Sequence, residues 1–188
     1  MTDQEIRDAI LNGTAKDGMT VRDYLDLRDC TGLTELPAGL TVREWIDLTG
    51  CNGLTELPEG LTVNYLDLTG CTGLTKLPAG LTVNYLDLAG CTGLAELPEG
   101  LTVEWLYLTG CNGLTELPDG LTVDYLDLTG CNGLTELPEG LTVKWLNLTD
   151  CNGLTKLPEG LTVEWLYLSR TGITTIPASA KISGKIYR

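Results

Sequence analysis

Histidine is missing from this chain of 188 residues, and so is phenylalanine. Without histidine there is no common general base near neutral pH, no Ser-His or Cys-His nucleophile pair, and little of the usual zinc ligand set. Serine occurs only at Ser169, Ser179 and Ser183, and no polar cluster stands outside the regular pattern, so no enzymatic activity and no cofactor are expected. Basic residues are scarce: 12 Lys and Arg face 26 Asp and Glu, for a net charge of −14. Nucleic acids and anionic membrane surfaces both want a basic face, so neither is an expected partner. No apolar run is long enough to cross a bilayer, and the start Met1-Thr2-Asp3-Gln4-Glu5 lacks the apolar stretch of a signal peptide. The expected location is the cytoplasm, or outside the cell by a route that needs no signal peptide. Apolar residues still reach 43%, enough to fill a core.

What is present is periodic. Cysteine occurs at positions 30, 51, 71, 91, 111, 131 and 151, so that after a first gap of 21 every gap is 20. A glycine follows each cysteine by two residues and a proline by seven, as in Cys71, Gly73 and Pro78. A fixed period of 20 residues marks a solenoid, in which each coil needs its neighbours to bury its apolar side. The chain divides into a helical cap over 1–18, eight repeats over 19–178, and a cap or edge strand over 179–188.

One coil explains itself. Tyr65-Leu66-Asp67-Leu68-Thr69 alternates polar with apolar, the pattern of a half-buried strand. Leu66 and Leu68 point inward, and Tyr65, Asp67 and Thr69 point outward. Glycine turns the chain, Leu74 and Leu77 return to the core, and Pro78 forbids a helix there. The expected fold is therefore a mainly β repeat solenoid with a parallel sheet on one side and an extended, turn-rich return on the other. The first two repeats carry one extra residue, with Val21 to Leu25 and Val42 to Ile46 four apart, which predicts a local bulge. At the N-terminus, Thr2 and Glu5 fit a capping box, and Ile6, Ala9 and Ile10 recur at helical spacing up to Asn12-Gly13. At the far end Ile182, Ile186 and Tyr187 suit a last strand, with Lys181, Lys185 and Arg188 opposing edge pairing. A monomer is expected, with end-to-end stacking as the hazard of an imperfect cap.

The string Val63-x-x-Leu66-x-Leu68-x-x-Cys71-x-x-Leu74-x-x-Leu77-Pro78, repeated in register over most of the chain, resembles the leucine-rich repeat. The 20-residue length and the Leu-Pro-x-Gly-Leu segment are most similar to short bacterial repeats, including those of secreted effectors. Cysteine stands where that family usually has asparagine, and the return segment is too short for a full helix. The resemblance implies a horseshoe that binds on its concave face, but names no partner.

The outward positions line up as columns on the sheet. The first holds Tyr24, Trp45, Tyr65, Tyr85, Trp105, Tyr125, Trp145 and Trp165. The second holds Asp26, Asp47, Asp67, Asp87, Tyr107, Asp127, Asn147 and Tyr167. The third holds Arg28, then mostly threonine, with Ala89 and Ser169. An exposed stripe of Tyr and Trp suits a protein or peptide partner, although neighbouring rings also stabilise a sheet by themselves. Stacked carboxylates repel, which suggests a basic partner and raised pKa values along the row; a row kept only for solubility is the plainer reading. One Asp per strand supplies too few oxygens for calcium without help. A glycan face has a similar make-up. The candidate site comprises Tyr65, Tyr85, Trp105, Tyr107, Tyr125, Trp145, Trp165, Tyr167, Asp67, Asp87, Asp127 and Asn147. The breaks in regularity at Tyr107, Asn147 and Tyr167 focus it between Trp105 and Trp165. The competing reading is a structural scaffold, recently amplified or consensus-designed, with no natural ligand. The cysteines are expected to be buried reduced thiols at a turn, since a straight column does not converge on zinc and seven cannot all pair.

Overall fold

A computed structural model of the chain describes residues 2–188. The helix α1 (Asp3–Leu11) comes first, followed by β1 (Thr20–Val21), β2 (Tyr24–Asp26), β3 (Thr41–Asp47), β4 (Thr62–Asp67) and β5 (Tyr85–Asp87). Then come β6 (Thr102–Tyr107), β7 (Thr122–Asp127), β8 (Thr142–Asn147), β9 (Thr162–Tyr167) and β10 (Lys181–Tyr187). All pair in parallel, and from β3 on the order in the sheet is the order in the chain. This is a parallel β-solenoid of about eight turns with one helix at its N-terminal end.

The strands form because Thr-Val-x-Tyr/Trp-Leu is rich in β-branched and aromatic residues. Their alternation then buries one side only: Val63, Leu66 and Leu68 lie in the core, while Tyr65 is exposed. Leu74 and Leu77 close the coil from the opposite side and are buried too. Each fully buried leucine contributes about 1.5–3 kcal/mol, and the repeat delivers the same set in every coil. No regular element forms on the return side, as the proline position requires.

Two glycine positions shape the coil. Gly70 ends a turn in which the Cys71 N–H donates to the Leu68 carbonyl at 2.9 Å, and its φ of 71° lies in the left-handed region. In three coils a non-glycine takes that position: Asp29, Asp150 and Arg170, with φ of 56°, 62° and 55°. The second is Gly93, where an added Cβ would lie 2.5 Å from the Thr72 carbonyl oxygen of the previous coil. Gly32 in the first coil has no coil beneath it and meets nothing within 4 Å.

The expected bulge lies at the N-terminal end: β3 shifts register against β4 between Val42 and Trp45. There the Glu44 and Trp45 N–H groups both donate to the Asp23 carbonyl, each at 3.2 Å. A second register shift, between Ile182 and Lys185 of β10, was not anticipated, although Ile182 and Ile186 show the same four-residue spacing.

The ends differ. Thr2 and Glu5 form a full capping box, and α1 buries Ile6 and Ile10 against the first coil. Arg7 fastens it, its Nε donating to the Asp26 carbonyl at 2.6 Å. At the other end β10 is largely exposed, with Ile186 at 40% and Tyr187 at 38%, and only Ile182 packs on the core.

Candidate binding face

Because neighbouring strands pair residue for residue, each outward position becomes a continuous column. Tyr65 sits opposite Tyr85, Tyr85 opposite Trp105, Trp105 opposite Tyr125, and Trp145 opposite Trp165. In the next column Asp67 faces Asp87, Asp87 faces Tyr107, Tyr107 faces Asp127, Asp127 faces Asn147, and Asn147 faces Tyr167. All twelve candidate residues therefore lie on one face of one sheet, with none of the aromatic side chains buried.

The rings do not follow the columns. Tyr24, Trp45, Tyr65 and Tyr85 form a run along column one, and Tyr85 then leans across to Tyr107 in column two, with centroids 5.1 Å apart. Trp105 and Tyr125 stack flat on each other at 3.6 Å. Trp145 packs on Tyr167, and Tyr167 stacks on Tyr187 at 4.4 Å. Trp165 stands opposite Lys185 of the last strand. The stretch from Trp105 to Trp165 thus turns much of its ring surface onto itself. The open part lies nearer the N-terminus, where Trp45 is 43% and Tyr65 is 44% exposed. There Trp45, Tyr65, Asp67 and Tyr85 line a recess of about 380 Å³. Burial among rings and carboxylates pushes the Tyr85 phenol up to about 12.

The carboxylates have a structural task that the spacing did not reveal. In every coil that carries a carboxylate here, Oδ1 accepts the N–H two residues on: Asp26 from Arg28 at 3.1 Å, Asp47 from Thr49 at 3.0 Å, Asp67 from Thr69 at 2.9 Å, Asp87 from Ala89 at 2.9 Å and Asp127 from Thr129 at 2.8 Å. Asn147 does the same for Thr149 at 3.0 Å, and it donates through Nδ2 to the Thr129 hydroxyl. This is the side-chain turn that Asp and Asn make readily, and here it closes the strand end. A carboxylate row is thus retained for the backbone as well as for any partner. At Asp26 and Asp87 mutual repulsion is not the leading influence on titration. Burial is the main force raising Asp87, with the Asp67 charge a lesser one, and Arg28 holds Asp26 below the usual carboxylate range.

Arg28 occupies the third column at the first coil. Its Nη2 lies 2.7 Å from Asp26 Oδ2 and its Nε 3.5 Å from Asp47 Oδ2, so one guanidinium spans two coils of the carboxylate row. Asp47 is only 6% exposed, and Tyr24 also donates to it. Further along, Thr69 and Ala89 take the place of Arg28, and no side chain of this kind reaches Asp67 or Asp87 among the described residues.

Beneath the face the cysteines form their own ladder. The Sγ of Cys51, Cys71, Cys91, Cys111, Cys131 and Cys151 each donates to the leucine carbonyl that precedes it by 23 or 24 residues, at 2.9–3.1 Å. The partner is one coil back, not in the local turn. All seven thiols are free, and burial pushes Cys51 and Cys151 up to about 11 and Cys71 and Cys111 up to about 12. Among the described residues no three Cys, Asp or Glu side chains converge as a metal site, and no helix is long and apolar enough to cross a membrane.

Trp45 and Arg28 are among the residues of this face that fell outside the candidate set, with Tyr24, Asp26 and Asp47, and the exception Arg28 makes in a column of threonines was the available signal. A polar ladder at the turn was also missed: Asn152 donates to Asn132 Oδ1 at 2.8 Å, and Thr72 donates to Asn52 Oδ1 at 3.0 Å. Comparison with protein-family models, with curated proteins and with solved structures gave no match to this chain.

Proposed function

We propose that this chain is a non-enzymatic binding module of the leucine-rich-repeat type that takes a basic protein or peptide on its Tyr/Trp/Asp face. The observation that carries this reading is the presence, on one sheet face, of the exposed rings of Trp45 and Tyr65 beside Asp67 and Asp87, two carboxylates without a basic neighbour among the described residues. Tyr and Trp supply large contact area at little entropic cost, and acidic groups beside them favour cationic partners and repel anionic ones. The net charge of −14 adds long-range attraction of the same sign preference.

The test is Trp emission during titration with polybasic peptides, calcium and oligosaccharides. All four Trp residues stand in the first column, so they report on this face directly. A saturable shift with the polybasic peptides alone is the expected result. Joint replacement of Trp45 and Tyr65, the most exposed rings of the face, by Ser then weakens or abolishes it without loss of the sheet signal in circular dichroism. A shift with calcium or oligosaccharide alone replaces the basic partner by that ligand.

A scaffold without a ligand is the second reading. It draws on the self-satisfied parts of the same face: the flat stack of Trp105 on Tyr125, and the Oδ1 atoms committed to backbone N–H groups. Emission that no titrant changes supports it.

A further inference from the structure

We infer that the recess lined by Trp45, Tyr65, Asp67 and Tyr85 is a seat for one guanidinium side chain of a basic peptide, with Asp67 as its counter-charge. This rests on the reading of the sheet face as a surface for basic partners, and it names the chemistry and the place of the contact.

Three observations converge on it. The recess of about 380 Å³ is lined by three aromatic rings and a single carboxylate. Ring faces attract cations, most strongly when water is partly excluded, and a planar guanidinium stacks on them better than a compact ammonium does. Next, the chain already carries an internal version of the contact. The Arg28 guanidinium lies on the Asp26 and Asp47 Oδ2 atoms, 2.7 and 3.5 Å away, beside Tyr24 and one coil before the recess. The carboxylate row therefore accepts a guanidinium with its Oδ1 atoms still bonded to the backbone. Finally, that cation is missing further along. Thr49, Thr69 and Ala89 stand in its column, leaving Asp67 and Asp87 without a basic neighbour among the described residues, and Ala89 is the smallest side chain of the column. A guanidinium arriving from a partner repeats at Asp67 what Arg28 does at Asp47.

The experiment is calorimetric titration with an acetylated, amidated tetra-arginine peptide and with its citrulline counterpart, which keeps the shape and loses the charge. The variants are Asp67→Asn, which retains the Oδ1 acceptor for the Thr69 N–H, Tyr65→Leu, and the return-side control Glu136→Gln. The arginine peptide is expected to bind about tenfold or more tightly than the citrulline peptide. Asp67→Asn and Tyr65→Leu are each expected to weaken it about fivefold, with Glu136→Gln unchanged and the melting temperature preserved. Equal binding of the two peptides overturns the proposal, as does equal weakening by Asp67→Asn and Glu136→Gln, which indicates diffuse charge attraction. Arginine binding that survives Asp67→Asn and Tyr65→Leu but is lost on replacing Trp105 and Trp145 leaves the face a basic-peptide surface and removes the seat. Absence of any arginine binding removes both.

Discussion

The thiol of Cys91 donates to the carbonyl oxygen of Leu68, 3.1 Å away on the preceding coil. The contact ties two coils together inside the core, where a hydrogen bond loses least to water. Cys91→Ala removes it and leaves a small void, at a cost of about 1–2 kcal/mol, read as a melting temperature lower by about 3–6 °C.

The same burial decides reactivity. Thiolate is the nucleophile, and six of the thiols sit in the core with their proton held well above neutral pH, whereas Cys30 is only half-buried. Ellman's reagent is expected to label one cysteine of the native protein rapidly, Cys30, and the remaining six only on unfolding. Rapid labelling of several thiols in the native state contradicts the packing described here.

Gly93 and Gly32 occupy equivalent places in different surroundings. A methyl group at Gly93 meets the Thr72 and Leu74 carbonyl oxygens at 2.5 and 3.0 Å, while one at Gly32 meets nothing within 4 Å. Gly93→Ala is expected to destabilise by about 1–3 kcal/mol and Gly32→Ala by no more than about 0.5 kcal/mol in denaturant unfolding. Equal effects exclude close stacking of the coils as the cause.

Asp87 is raised in the folded state, chiefly by burial. A raised carboxyl stabilises the fold below its unfolded value and loses that contribution as pH climbs through the folded value. Asp87→Asn removes the titration and keeps the acceptor for the Ala89 N–H, as Asn147 does naturally for Thr149. The variant is expected to melt about 1–3 °C higher at pH 7, with the advantage gone below about pH 4.

The stacked pair Trp105 and Tyr125, with centroids 3.6 Å apart, is expected to show a coupling of about 0.5–1.5 kcal/mol in a double-mutant cycle with leucine at each position. Additive losses reduce the pair to separate burial.

The coil was legible in the sequence because its cause is local. Leu66 and Leu68 alternate with Tyr65 and Asp67, and the 20-residue period repeats that message coil after coil. Membership of the face was equally legible, since strand alternation alone sends Trp45 and Asp67 outward together. What could not be read were relations set by side-chain torsions. Column position does not say that Tyr85 leans to Tyr107 instead of continuing to Trp105. Nor does an Asp two residues before a Thr declare that its oxygen is committed to the Thr69 N–H. The opening at Trp45 follows from those torsions, which is why the breaks in sequence regularity pointed further along the chain.

The pairing of each residue with its counterpart 20 positions later, as Tyr65 with Tyr85, has a consequence for inheritance. Every internal junction between coils presents much the same surfaces. Excision of residues 92–111 joins Cys91 to Asn112, at the place where Cys91 now precedes Thr92, and leaves the period intact. The gene can thus lengthen or shorten by whole units through unequal recombination with little penalty to the product. Only the outermost coils, marked by the displaced registers at Val42 and Ile182, break that equivalence.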